Sequence, residues 1–170
     1  MSKFDEAIER VLKHEGGFTD DPKDPGNWTG GSEGKGELNG TMYGISAKAY
    51  PDLDIKNLTV DEAKAIYKKD YWDRAKTDSL PERLQEIYFD MSINMGRSRA
   101  VKVLQQASNN KNSNKIDVDG GLGPMTLKAV SNVEPERARA YRVMYYAELV
   151  NRKPDLEKFW FGWFRRALEV

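Results

Sequence analysis

The 170-residue chain contains no cysteine and only one histidine, His14. Without cysteine there can be no disulfide and no thiol nucleophile. A single histidine also argues against the zinc sites that several histidines commonly form, so we expect no metal and no cofactor. Carboxylate chemistry is the main catalytic chemistry that these absences leave.

Long apolar runs are also missing. No stretch is apolar enough for a membrane span, and no charged-then-apolar leader precedes the first amphipathic helix. We therefore expect no stable membrane insertion and no signal peptide. The length suits one domain, or one domain divided into two lobes by a cleft.

The formal net charge is zero, but the charges are unevenly distributed. Residues 1–60 carry 7 basic and 11 acidic side chains, whereas residues 97–170 carry 14 basic and 8 acidic ones. The basic end reads either as the solvated face of helices or as a surface attractive to an anionic envelope polymer. Nucleic acid is a poorer partner, because the basic residues are scattered and no recognition motif accompanies them.

One carboxylate stands at a predicted helix end. Apolar residues at helical spacing predict a helix over 3–14, and Gly16 and Gly17 should end it in the left-handed conformation. Glu15 then lies at the negative end of the helix dipole beside an apolar face, and both effects disfavour its ionised form. A carboxyl that keeps its proton suits the general acid of a glycosidase. The alternative is a surface glutamate at a frayed helix end.

The loop that follows holds three further carboxylates, those of Asp20, Asp21 and Asp24, among prolines and glycines. Glycoside hydrolysis needs a second carboxylate as base or stabiliser, and this loop could supply it. Aspartate next to proline is also ordinary turn chemistry.

Six segments, in order, carry a resemblance to a known family. They are His14–Phe18, Asp21–Gly26, Thr41–Ser46, Tyr88–Gly96, Asp117–Thr126 and Phe161–Arg166. With these segments the chain resembles the glycoside hydrolase family 108 lysozymes, which are N-acetylmuramidases found mainly as bacteriophage endolysins.

The resemblance implies cleavage of the β-1,4 bond between N-acetylmuramic acid and N-acetylglucosamine in bacterial peptidoglycan. Glu15 would be the general acid, Asp24 the second carboxylate with Asp21 as the weaker candidate, and Thr41 would position water or substrate. It also implies a monomer held in the host cytoplasm until release, which then acts in the periplasm on the cell wall.

Sugar binding calls for aromatic faces and fixed polar groups. Asn94, near the end of an apolar helix, could hold an N-acetyl group or a water, or it could simply cap the helix. The aromatic candidates, each of which could instead fill the core, are Trp28, Tyr43, Trp72 and Tyr141.

The fold class expected is mainly α, an α+β lysozyme-like fold with two lobes around a long central helix and at most one small β-hairpin near Asn39–Ile45. We expect a single lysozyme-like domain over residues 1–170. Within it, residues 1–80 carry the catalytic glutamate and loop, and residues 81–170 resemble a peptidoglycan-binding region.

Further helices are predicted near 60–70, 81–95, 97–108, from Pro124, 134–151 and 155–168. Capping residues are predicted at three helix starts: Ser2 with Asp5, Thr59 with Glu62, and Ser79 with Glu82. Tyr67 should face inward on the helix near 60–70, and the last helix should bury Phe159, Trp160, Trp163 and Phe164.

Two other functions remain open. A lytic transglycosylase needs only one acid, because the muramyl 6-hydroxyl replaces water as nucleophile. A non-catalytic wall-binding module would need none, although Glu15 within a complete motif argues against it.

Overall fold

The computed structural model describes residues 2–170 and is mainly α-helical and lysozyme-like, as predicted. Strands β1 (Thr41–Met42) and β2 (Ile45–Ser46) pair antiparallel, with Met42 opposite Ile45, so the predicted small hairpin is confirmed. The α-helices of the described residues are α1 (Lys3–His14), α2 (Val60–Tyr67), α3 (Glu82–Met95), α4 (Arg97–Lys111), α5 (Pro124–Val130), α6 (Pro135–Arg152) and α7 (Glu157–Glu169). A π-helix (Lys68–Asp73) follows α2, and 3₁₀ turns lie at Pro25–Asn27, Ile55–Asn57, Thr77–Ser79 and Pro154–Leu156.

The chain divides into two compact units, one ending at Asp70 and the other spanning Tyr71–Val170. The boundary that we predicted near residue 80, and the single domain over 1–170, stay predictions.

In the N-terminal unit, α1 buries one apolar stripe, because its apolar residues recur every three or four positions. Ser2 and Asp5 form the predicted capping box, in which each side chain accepts a hydrogen bond from the other's backbone N–H. Thr59 and Glu62 form the same box at the start of α2. The buried apolar residues of this unit include Phe4, Ile8, Val11, Ile45, Ile55 and Tyr67.

The predicted start of α3 is wrong in detail. Instead of a capping box between Ser79 and Glu82, Pro81 occupies the N-cap and no side chain caps it. The Ser79 hydroxyl donates to the Lys76 carbonyl, because residues 77–79 form a 3₁₀ turn that uses the serine locally.

The C-terminal unit is organised around α3, which is buried on most of its faces and packs against α4 and α6. Its core contains Leu84, Tyr88, Met91, Val101, Leu104, Val130 and Ala138. The prediction that α7 buries Phe159 is wrong, since this ring is 47 % exposed. Trp160 and Trp163 do pack against the core, although both are only partly buried.

Candidate active site

Glu15 is the first residue beyond α1. Its N–H still donates to the Val11 carbonyl at 3.1 Å, but its backbone is already extended, with φ −85° and ψ 133°. The expectation that Gly16 and Gly17 end the helix in a left-handed conformation is therefore wrong, because neither has positive φ. The helix ends at Glu15 itself. The Glu15 residue is half-buried.

A tight hairpin turn lies against the Glu15 carboxyl group. Tyr43 (φ 51°) and Gly44 (φ 76°) form the two-residue connection between β1 and β2, and positive φ at both positions is typical of a type I′ turn. A Cβ placed on Gly44 would lie 2.7 Å from Oε2 of Glu15. Only glycine lets the turn approach the carboxylate this closely.

Tyr67 completes this arrangement from the end of α2. Its side chain is buried, and its hydroxyl donates to the Tyr43 carbonyl at 3.0 Å. The same Gly44 Cβ would lie 2.6 Å from the Tyr67 hydroxyl oxygen. The Tyr67 hydroxyl and the Glu15 carboxylate therefore both lie against Gly44. Sequence reasoning placed Tyr67 on the inward face of α2 but gave it no role. A tyrosine on an inward helix face was itself a signal, because a buried tyrosine hydroxyl usually requires a hydrogen-bond partner.

The two loop aspartates make turns. Oδ1 of Asp24 accepts from the Gly26 N–H at 2.8 Å and caps the 3₁₀ turn Pro25–Asn27, while Oδ1 of Asp21 accepts from the Lys23 N–H at 2.9 Å. Both residues are exposed, as is Asp20. Turn formation and a catalytic role are compatible, since each carboxylate retains a second oxygen, and the role of Asp24 and Asp21 stays a prediction.

Thr41 is tied to a buried amide. Its hydroxyl donates to Oδ1 of Asn27 at 2.7 Å, and Nδ2 of Asn27 donates to the Asp21 carbonyl at 3.0 Å. Asn27 is fully buried and joins the aspartate loop to the hairpin. Sequence reasoning missed it, because an asparagine in a turn-rich loop gives no sign that it will be buried. The Thr41 proton is thus used structurally, and a role for Thr41 toward water or substrate stays a prediction.

The aromatic candidates differ in exposure. Trp28 is half-buried, and its indole N–H donates to the Pro22 carbonyl at 2.8 Å, which fixes the ring on the aspartate loop. Tyr43 is half-buried at the turn beside Glu15, and Tyr141 is half-buried on α6 against the core of the C-terminal unit. Trp72, by contrast, is a core residue at 1 % exposure, so its suggested sugar-stacking role is wrong.

Asn94 is held in a fixed orientation within the C-terminal unit. Its Nδ2 donates to the Asp90 carbonyl at 2.8 Å and to Asp90 Oδ2 at 3.0 Å. It does not cap α3, since Gly96 takes that position with φ 83°. A fixed amide can present its remaining groups to a ligand, and the binding role of Asn94 stays a prediction.

Asp90 is a buried charge that sequence reasoning missed. It pairs with Arg142 at 2.5 Å and with Arg166 at 3.0 Å, and both Asp90 and Arg142 are almost wholly inaccessible to solvent. Nε and Nη1 of Arg142 have no hydrogen-bond partner among the described residues. Tyr146 lies beside Arg142, and burial raises the pKa of its hydroxyl above the ordinary value.

The Asp-Gly turn of the second half is a structural motif. Buried Gln105 donates to Asp119 Oδ1 at 2.8 Å and accepts from the Gly120 N–H at 2.9 Å. Asp119 also accepts from the Gly121 N–H. The hydrogen bond from Gln105, followed by that from Gly121, holds the pKa of Asp119 below its ordinary value.

Within residues 2–170, no group of three or more histidine, cysteine or acidic side chains is arranged to hold a metal ion. None of the helices described is long and apolar enough to cross a membrane.

Comparison with known proteins gives two family matches and a structural neighbour. The structure of Brucella abortus SagA is similar with a TM-score of 0.72 and 28% sequence identity, over 98% of this chain and 90% of that chain. No match was found among curated proteins. Residues 99–168 match a family described as Predicted Peptidoglycan domain, and residues 8–96, which include Glu15 and the hairpin, match Glycosyl hydrolase 108.

The two family matches together cover most of the chain and support a peptidoglycan-hydrolysing, lysozyme-like role. The first match alone spans more than half of the residues. The chain therefore belongs to glycosyl hydrolase family 108 and is a glycoside hydrolase.

Proposed function

We propose that the protein is a muramidase that hydrolyses the β-1,4 bond between N-acetylmuramic acid and N-acetylglucosamine, with Glu15 as general acid. The observation that carries the proposal is the close approach of the Gly44 turn to Glu15 Oε2. A catalytic acid must be held in a defined position relative to the bond it protonates. The turn and the buried hydroxyl of Tyr67 provide such a fixed surrounding.

The proposed reaction begins with proton transfer from Glu15 to the glycosidic oxygen as the bond to the sugar carbon breaks. The positive charge that develops on the sugar needs a carboxylate, or a water activated by one, on the other side. Asp24 is our first candidate, because its loop is stiffened by Pro25 and by the turn that its own Oδ1 caps. Tyr43, which lies on the turn beside Glu15, is our first aromatic candidate for contact with the sugar.

The test is the substitution Glu15→Gln, which keeps the shape of the side chain and removes the acidic proton. We expect activity to fall by at least about 10²-fold, measured as the loss of turbidity of permeabilised bacterial cells. Glu9→Gln is the matched control, because Glu9 is an exposed glutamate on the same helix. Circular dichroism should show both variants folded. Lysis by a folded Glu15→Gln variant at the parent rate would refute the assignment.

Mass spectrometry of the released fragments tests the reaction type. Hydrolysis by water leaves a reducing N-acetylmuramic acid end. A 1,6-anhydro end would instead identify a lytic transglycosylase and overturn hydrolysis. An absence of released fragments from intact sacculi would favour a non-catalytic wall-binding module.

The biological setting proposed is that of a phage endolysin, which stays in the host cytoplasm until a holin opens the inner membrane and then acts as a monomer on the periplasmic wall. The resemblance to the family 108 endolysins supports this. Expression in a bacterial host should cause lysis only when a holin is co-expressed. Lysis without a holin would contradict this release route.

A further inference from the structure

The C-terminal unit carries a groove of its own along α4 and α6, which pack against each other. The groove has a volume of about 480 Å³, within the roughly 300–1,000 Å³ typical of ligand sites. Helix α4 contributes Arg99 and Lys102 to its wall, and α6 contributes Glu148 and Arg152.

The charge of this groove is predominantly positive. Its lining includes the four cations Arg99, Lys102, Arg152 and Lys153 and the single acid Glu148. Within the region of the chain that the structure describes, none of these four cations takes part in an ion pair with a carboxylate. Cations that the protein does not neutralise attract an anionic ligand.

Other basic side chains of this unit are neutralised by the protein. Arg142 and Arg166 pair with Asp90, and Lys111 pairs with Glu134. The groove differs from these sites, because it brings together four cations for which the described residues provide no ion-pair partner.

An aromatic recess adjoins the cations. A cavity of about 110 Å³ shares Arg99 and Tyr145 with the groove and is also lined by Asn94 and Trp163. The amide of Asn94 is oriented by Asp90, and Trp163 stacks on Tyr146. A ligand in the groove would thus contact charged side chains along the groove, and aromatic rings and the Asn94 amide at the end that adjoins the recess.

Peptidoglycan offers two chemistries to such a groove. Its glycan strands are neutral, so four cations add little to their binding. Its stem peptides carry free carboxylates, and their diamino acid carries an amine that could donate a hydrogen bond to the Glu148 carboxylate. We propose that this groove binds the carboxylates of the stem peptide, an inference that rests on the proposed action on peptidoglycan.

The test is co-sedimentation with insoluble sacculi from which phosphate polymers have been removed. All proteins carry Glu15→Gln to limit digestion of the wall. The groove variant is Arg99→Gln/Lys102→Gln, and the matched control is Lys128→Gln/Lys158→Gln, which removes the same charge at two exposed lysines outside the groove. Each binding measurement is repeated with an excess of soluble stem peptide, and with the same peptide after its carboxylates have been converted to amides.

We expect the groove variant to bind intact sacculi about fivefold more weakly than its parent, as the loss of two exposed charge contacts implies, and the control to bind within about twofold. The soluble peptide with free carboxylates should lower binding of the parent to the level of the groove variant, and the amidated peptide should not. Equal binding of both to intact sacculi, or parent binding that requires phosphate polymers, would overturn the groove proposal and leave the muramidase proposal standing. Cell lysis together with parent binding that the soluble stem peptide does not lower would do the same. A parent that neither binds sacculi nor, with Glu15 restored, lyses cells would overturn both.

Discussion

Replacing Gly44 by alanine tests whether the turn positions Glu15, the proposed catalytic acid. The new Cβ would lie 2.7 Å from Glu15 Oε2 and 2.6 Å from the Tyr67 hydroxyl oxygen, whereas ordinary contact begins near 3.4 Å. The carboxylate must therefore retreat by about 0.7 Å, unless the turn moves instead. Misplacing a catalytic group by about 1 Å can cost about 10²-fold in rate. We expect kcat to fall between about tenfold and a hundredfold.

The same change also has a cost unrelated to the site. Gly44 has φ +76°, and an alanine held in the left-handed region costs about 1–2 kcal/mol. Gly34→Ala separates the two effects, because Gly34 has φ +72° but nothing lies within 4 Å of its Cβ position. This control should lose a similar free energy of unfolding and keep its activity.

The assay combines turbidity loss on permeabilised cells with the free energy of unfolding from denaturant titration. We expect Gly44→Ala to lose far more activity than Gly34→Ala at comparable stability. Equal activity of the two variants would refute the claim that the Gly44 turn positions the acid.

Three further predictions concern individual side chains. Asp24→Asn should lower kcat more than Asp21→Asn in the same turbidity assay, and equal small losses would mean that both carboxylates only form turns. Asp90→Asn should lower the free energy of unfolding by about 3 kcal/mol or more, because it leaves the buried Arg142 without its anion, whereas Arg142→Met should cost less, since it removes a charge with unpartnered nitrogens. Hydrogen bonds from the side chains of Lys111 and, second, Arg137 lower the pKa of Glu134 to about 2, from 4.5 in the unfolded chain. Glu134 therefore stabilises the fold above pH 4.5, and this contribution is lost as the pH falls toward 2. The Tm difference between the parent and Glu134→Gln should shrink over that range, and a difference independent of pH would contradict this.

Much of the candidate site was predictable where it depends on near neighbours in sequence. The end of α1 at Glu15 and the presence of a small hairpin near Asn39–Ile45 follow from local patterns, whereas the position of its turn at Tyr43 and Gly44 was not predicted. The conformation of Gly16 and Gly17 did not, because a helix can also end in an extended residue, and the choice depends on where the following chain must go.

The hydrogen-bond partners of the site residues could not be predicted from local sequence patterns. Tyr67 reaches the Tyr43 carbonyl across 24 residues, and Thr41 reaches buried Asn27 across 14. Neither pair has a periodic or motif signal, since an isolated hydroxyl or amide looks the same in a loop, on a surface or in a core.

By itself the sequence determined the helices, two of their capping boxes, the short hairpin and the carboxylate at the end of α1, because these depend on hydrogen bonds and side-chain spacing within about four residues. The tertiary structure decided which polar groups are buried and what satisfies them. Asp90 meets Arg142 from 52 residues away, and burial of that charge is tolerable only because packing of α3 against α6 brings its partner to it. Tertiary packing likewise decided that Trp72 lies in the core. Local spacing cannot show which way a ring faces, because that depends on which element packs beside it.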